Sequence, residues 1–364
     1  MQLAGHARQI ILHRHMFAPS TLAADVFRFP VERYLLRDGR ASWPLSITLV
    51  VRSECNVRCV MCHSLEILDS KVPYMTMDQL RTFVSHLGPR HKRPNILLTG
   101  GEPTLRKDIL DVVELFKSEG VPVGMVTNGT LLPSERIDRL IELDLECLTF
   151  SCHGPQEVHD EIMAVPGSFE KMTTAAKEFL RKRRRTVVII NCAITEHNTD
   201  HLTEVVKIAE DLGADAVRFE HLNYVTPGEH AAQDGVWSDL DGDGAYVNSY
   251  VHDKPGVSAM VPAIQRLTDM RASIPVLLKP NLRGREIPSW YGGDGAQRRH
   301  CTFPWRSLFV TAQGDVMPCQ FLHYKVGNLL EQPMEEIWNG ERFVRFRREI
   351  AKGLFPACAR CCKL

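Results

Sequence analysis

Two kinds of hydrophobic spacing alternate along the chain. "LSITLVV" at 45–51 is a short apolar run without helical period, whereas "MTMDQLRTFVSHLG" at 75–88 places apolar residues three and four apart. The first pattern predicts a buried strand and the second an amphipathic helix. Further strands are predicted at "NILLTGGEPTL", "PVGMVTNGT", "ECLTFSCHG", "TVVIINCAIT" and "DAVRFEHLN". They are interleaved with helices at "KDILDVVELFKSEG", "PSERIDRLIELD", "SFEKMTTAAKEFLRKRR" and "LTEVVKIAEDLG". This alternation predicts a parallel sheet with helices outside it. Six units between about residues 45 and 220 take roughly 30 residues each, and a complete eight-unit barrel takes about 250. The count favours an α/β fold, a partial (β/α)6 TIM-type barrel, over a doubly wound sheet with the same local pattern. In either architecture the loops after the strands form the functional face.

The chain divides into an N-terminal extension at 1–42, the barrel at 43–225, a bridging region at 226–298 and a small cysteine-rich α+β domain at 299–364. The bridge is rich in Gly, Asp and Pro, with helical patterns near 236–252 and at "VPAIQRLTDMRA" and an irregular stretch at 280–296. The last domain opens with a predicted hairpin that turns at Gln313-Gly314-Asp315.

Lys plus Arg equals Asp plus Glu at 44 each, so no global basic field points to nucleic acid. No apolar stretch approaches the ~20 residues of a membrane span. The start, "MQLAGHARQIILHRHMF", interrupts the apolar core that a secretory signal needs. The expected location is cytoplasmic, with neither membrane nor nucleic acid as partner. Eleven cysteines in a reducing compartment are then not expected to form disulfides.

Cys55, Cys59 and Cys62 share one loop directly after the first strand, with spacing C-x3-C-x2-C. Three thiolates suit an iron–sulfur cube with one iron left free, with zinc as the alternative. With "GGEP" after the second strand, the pattern resembles the radical S-adenosylmethionine (radical SAM) superfamily. The resemblance implies that Cys55, Cys59 and Cys62 hold a [4Fe–4S] cluster whose fourth iron binds SAM. It also implies a flavodoxin or ferredoxin-type reductant, and a 5′-deoxyadenosyl radical that removes a substrate hydrogen. Gly100, Gly101 and Glu102 become candidates for the SAM ammonium, Ser151 and Asn191 for its hydroxyls, and Met61 for the adenine side. Thr195 and Asn198 stand beyond Asn191 as ribose contacts or as a local cap. Many relatives place an arginine where this chain has Met163, which leaves the SAM carboxylate without an assigned partner.

Cys301, Cys319, Cys358 and Cys361 form a second set, with spacing C-x12-G-x4-C, a 38-residue interval, then C-x2-C. This resembles SPASM and twitch extensions, which carry auxiliary iron–sulfur clusters. Four ligands complete one [4Fe–4S] cluster, so the shortened twitch form and two clusters in all are expected; zinc remains the alternative. Cys362 is open as a substitute for Cys361. Trp305, Phe309 and Phe321 read as core of this domain, with Trp305 the one placed to reach a substrate.

Twitch relatives include dehydrogenases and epimerases of aminocyclitol or sugar intermediates in antibiotic biosynthesis. The leading expectation is therefore dehydrogenation or epimerisation of a small polar natural-product intermediate (a sugar, cyclitol or nucleoside-like molecule). Only about 40 residues precede the barrel, fewer than the roughly 80 of a leader-binding module, so peptide maturation stands second. Cys152, after the fourth strand, is the candidate hydrogen donor, with Cys192 behind it. Glu220, followed by His221 and Tyr224, is the candidate to manage a proton.

Overall fold

The computed structural model describes residues 31–62, 72–240, 250–251, 256–282, 284–293 and 300–364. Most of the N-terminal extension and parts of the bridge lie outside the described residues.

The predicted strands all form: β1 (Ser46–Arg52), β2 (Asn95–Gly100), β3 (Val123–Thr127), β4 (Cys147–Ser151), β5 (Val187–Ile194) and β6 (Ala216–His221). A two-residue pair follows, β7 (Tyr224–Val225) with β8 (Tyr250–Val251). Then come β9 (Val276–Lys279), β10 (Ser307–Val310), β11 (Asp315–Met317) and β12 (Gly327–Asn328). The main sheet has ten strands in the order β12-β11-β10-β1-β2-β3-β4-β5-β6-β9. The parallel run contains eight strands rather than six, because β9 adds beside β6 and β10 beside β1. The outer two come from the bridge and the cysteine-rich region, so the C-terminal region shares its sheet with the six predicted strands. The two end strands, β12 and β9, do not pair with each other, and the sheet is open among the described residues.

Side-chain parity separates the two faces. Ile47, Leu49, Val51, Ile96, Leu98, Met125, Leu148, Phe150, Val188, Ile190, Val217 and Phe219 all join one core. Their intervening neighbours Thr48, Val50, Ser151, Asn191, Arg218 and Glu220 stay partly exposed. The core is completed by helices whose apolar residues recur at helical spacing: Leu80, Phe83 and Val84 of Met77–His86; Val112, Val113 and Phe116 of Ile109–Ser118; Met172, Ala176 and Phe179 of Ser168–Lys182. Among the described residues, helices therefore cover one face and leave much of the other partly exposed, whereas a doubly wound sheet would cover both. Thr76 and Gln79 start the first of these helices with a reciprocal capping box.

The bridge secures the C-terminal tail. Buried Arg360 pairs with Glu229 at 2.5 Å and donates to the carbonyls of Trp290 (2.8 Å) and Gly293 (2.6 Å). Gln233 accepts the Ala357 N–H at 3.1 Å. The predicted helix near 236–252 overlaps the helix Pro227–Leu240 at 236–240, while 241–249 lie outside the described residues; Glu286–Gly292 is helical inside the stretch expected to be irregular.

Candidate functional site

The cysteine loop leaves β1 and is held from three sides. Gly101 N–H donates to Arg52 O and Glu102 N–H to Glu54 O, both at 2.9 Å, so the glycine turn pairs with the loop backbone. The approach is so close that a Cβ on Gly101 would meet Glu54 O at 2.2 Å, and one on Gly100 would meet Arg52 O at 2.0 Å. Gly100 also has φ of +144°, a conformation open to glycine. On the other side, Arg58 and Val60 N–H groups donate to Met163 O (3.2 Å) and Ile162 O (2.9 Å) at the end of helix Gln156–Met163. Asn128 reaches Asn56 at 2.9 Å.

Burial, with Glu102 and Cys62 nearby, pushes the Cys55 thiol up. Burial and the two neighbouring cysteines push Cys59 up to about 12. Three thiols that repel when ionised are a donor set that a cationic metal centre relieves, because thiolate ligation requires the proton to leave. Met163 places its thioether 3.3 Å from Cys59 Sγ, so an apolar sulfur occupies the position where relatives were expected to have an arginine. Met61 lies in the same loop, half-buried.

Glu102 is buried and wholly engaged inside the protein. One oxygen accepts Thr104 N–H (3.0 Å), Thr104 O–H (2.6 Å) and Thr127 O–H (2.7 Å); the other accepts Asn128 N–H (2.7 Å). It fastens the β2 turn to the β3 turn. Thr127 and Asn128 stood within a loop assigned to the functional face, but nothing in the sequence pairs them with Glu102.

Strand register places Ser151, Asn191 and Arg218 in one row of the open face, and Ala193, Glu220 and Lys279 in the next. Arg218 Nε donates to Asn191 Oδ1 at 2.5 Å and lies 3.4 Å from Glu220. Burial would raise the Glu220 carboxyl, but Arg218, Lys363, Lys279 and a hydrogen bond from Asn191 hold it down at about 2. Glu220 is thus a fixed anion near neutral pH, a weak base for moving a proton. Burial and the cations Arg218 and Lys363 bring Lys279 down to about 7. Sequence reading missed Lys279; its only signal was the short apolar run "VLLK" between two prolines.

Several candidates fall on the other face. Cys152 is fully buried among core side chains, its thiol raised to about 12 by burial. Cys192 lies on the same helix-covered side, and both strand parities turn these sulfurs away from the open face. The expected hydrogen-donor role for Cys152 therefore lacks a route to a substrate on that face. His221 bonds Tyr291 at 2.6 Å and Tyr224 bonds the Trp290 carbonyl at 3.0 Å, both in the core. Asn198 is a cap: it accepts Thr195 N–H at 2.9 Å and donates to His153 O at 2.9 Å. Trp305 is buried beneath the guanidinium of Arg33 at 4.7 Å, packed as core.

Cys301, Cys319, Cys358 and Cys361 line one recess, with Phe303, Phe321, Phe346, Ile350 and Lys363 among its other walls. Burial and mutual proximity raise Cys301 to about 12 and also push Cys358 well up. Cys362 is outside the lining; it bonds Cys361 and faces Lys363, Glu220 and Lys279. Among the described residues, no three His, Cys, Asp or Glu side chains converge as a ready single-ion site. The four thiols are instead distributed around an apolar recess, whose donor chemistry fits an iron–sulfur group.

Residues 49–209 match the radical SAM superfamily, and residues 301–362 match the iron–sulfur cluster-binding SPASM domain. The chain belongs to the radical SAM superfamily and carries a C-terminal SPASM domain. It is an enzyme of that class, in which SAM is cleaved and a substrate hydrogen abstracted. An AdoMet-dependent heme synthase of Methanosarcina barkeri is 29% identical, over 86% of this chain and 88% of that protein. A PqqA peptide cyclase of Bradyrhizobium diazoefficiens is 22% identical, over 84% of this chain and 75% of its own length. Streptococcus suis SuiB, solved with its precursor peptide SuiA, shares the fold at a TM-score of 0.61 and 14% identity, covering 86% of this chain and 69% of that one. No described helix is long and apolar enough to cross a membrane.

Proposed function

We propose that this chain is a peptide-modifying radical SAM enzyme, with Cys55, Cys59 and Cys62 holding the SAM-binding [4Fe–4S] cluster and Cys301, Cys319, Cys358 and Cys361 a second one. When bound, the cluster would pass SAM one electron received from a flavodoxin or ferredoxin-type protein, and SAM, losing methionine, would supply the adenosyl radical that takes a hydrogen. The chain's own residues do the positioning. Gly100 and Gly101 let the second turn approach the cysteine loop, Glu102 locks that turn to the next, and Ser151 and Asn191 face the open side where SAM and substrate meet. The observation that carries the peptide reading is the peptide cyclase relative, similar across 84% of this chain. The partly exposed face bearing Thr48, Ser151, Asn191 and Glu220 is where that peptide would lie. The small sugar or cyclitol expectation has less support.

A second reading is favoured by one observation: the heme synthase relative, at 29%, is the more similar in sequence. Action on a heme precursor is that reading. The deciding experiment is anaerobic turnover with side-chain-deuterated candidate precursor peptides, and in parallel with a deuterated iron porphyrin. Deuterium carried from a peptide into 5′-deoxyadenosine supports the first reading. Transfer from the porphyrin alone replaces it with the second, and transfer only from a sugar or cyclitol overturns both.

A further inference from the structure

Arg218 and Lys279 stand in adjacent rows of the open face, on β6 and β9. Arg218 commits only Nε to the protein, toward Asn191 and Glu220, so its two terminal nitrogens have no protein acceptor among the described residues. The Lys279 ammonium likewise makes no hydrogen bond or ion pair there. Glu220 is the carboxylate that faces both, and the Cys362 thiol also faces Lys279. Lys363 adds a further positive charge from the tail, but it also lines the cysteine recess and is shared with that recess. A guanidinium or ammonium in a partly buried place is costly without a counter-charge.

A planar guanidinium with a free fork is matched in shape by a carboxylate, and a neighbouring lysine adds a point charge to the same ligand. The orienting bond that Arg218 donates to Asn191 fixes the fork before any ligand arrives. We propose that Arg218 and Lys279, steadied by Asn191, form a carboxylate-binding subsite on the open face that holds an acidic group of the substrate. This rests on the reading that the open face receives the substrate, and it names an acidic substrate as the class.

The test uses the anaerobically reconstituted holoenzyme and no turnover, so its outcome stands apart from whether a peptide is the reactant. Acetic anhydride modifies accessible amines, and mass spectrometry of the peptide containing Lys279 reads the rate at that position. Succinate is the probe, with chloride of equal ionic strength and inorganic phosphate as the other arms. At ten times its Kd, succinate should slow Lys279 acetylation about tenfold by mass action. Arg218→Gln should abolish that protection, and Arg218→Lys, which keeps charge without the fork, should lose most of it. Four results would overturn the subsite: Lys279 unreactive without ligand, equal protection by chloride, stronger protection by phosphate, or full protection in both Arg218 variants.

Discussion

Glu102 accepts the backbone N–H of Asn128 at 2.7 Å and thereby ties the loop after the second strand to the loop after the third. Its other oxygen takes three donors from Thr104 and Thr127. Burial raises this carboxyl while those hydrogen bonds oppose the shift. The residue first assigned to the SAM ammonium is thus also the fastening of the platform on which SAM would rest.

Replacing Glu102 with Gln turns an acceptor oxygen into an NH2 group facing N–H and O–H donors. The expected cost is about 1–3 kcal/mol, the range for a buried polar group left unsatisfied. Thermal unfolding of the anaerobic protein checks it. An unchanged melting temperature would show that the network contributes nothing.

Cys361 and Cys362 should separate cleanly. Cys361 lines the recess and Cys362 does not, so Cys361→Ser should lose the second cluster while Cys362→Ser keeps it. With both clusters loaded the chain should hold about eight irons, from two four-iron cubes. Cys55, Cys59 and Cys62 changed together to Ala should retain about four, the recess being complete without them. Iron analysis with Mössbauer spectra reads each case, and a single zinc in the triple variant would sink the assignment of the recess to iron.

Cys152→Ala should leave the reaction's stereochemical outcome unchanged. The sulfur sits in the core on the helix side, so its loss should cost about 1 kcal/mol as a small cavity and little else. Loss of solvent deuterium from an epimerised product in this variant would contradict that placement.

Acid should weaken the fold before it titrates the carboxylates. Burial holds His153 down at about 3 and His159 down at about 4, against an ordinary value of 6.5. Between pH 6.5 and about 4 the unfolded chain binds protons that the folded one refuses, so stability is full above 6.5 and falls as pH falls. The slope is about 1.4 kcal/mol per pH unit per histidine. Urea midpoints at pH 7 and 5.5 test this, and His159→Phe should flatten the dependence by about half. A pH-independent midpoint in the parent protein would refute it.

The sequence by itself determined the strands, the helices and the two cysteine sets, because each rests on local spacing. Period-two and helical patterns, the tight C-x3-C-x2-C loop and the adjacent glycines are all properties of neighbours in the chain. The register of β4, β5 and β6 was decided only in three dimensions, and with it which residues face the open side. A one-residue step along a strand exchanges faces, so Ser151 and Cys152 part company, as do Glu220 and His221. The β9 partner of Glu220 and the choice of Cys361 over Cys362 on the recess wall depend on contacts far apart in sequence. Such pairings leave no local spacing to read: Lys279 belongs to a four-residue edge strand whose meaning comes entirely from the strand beside it.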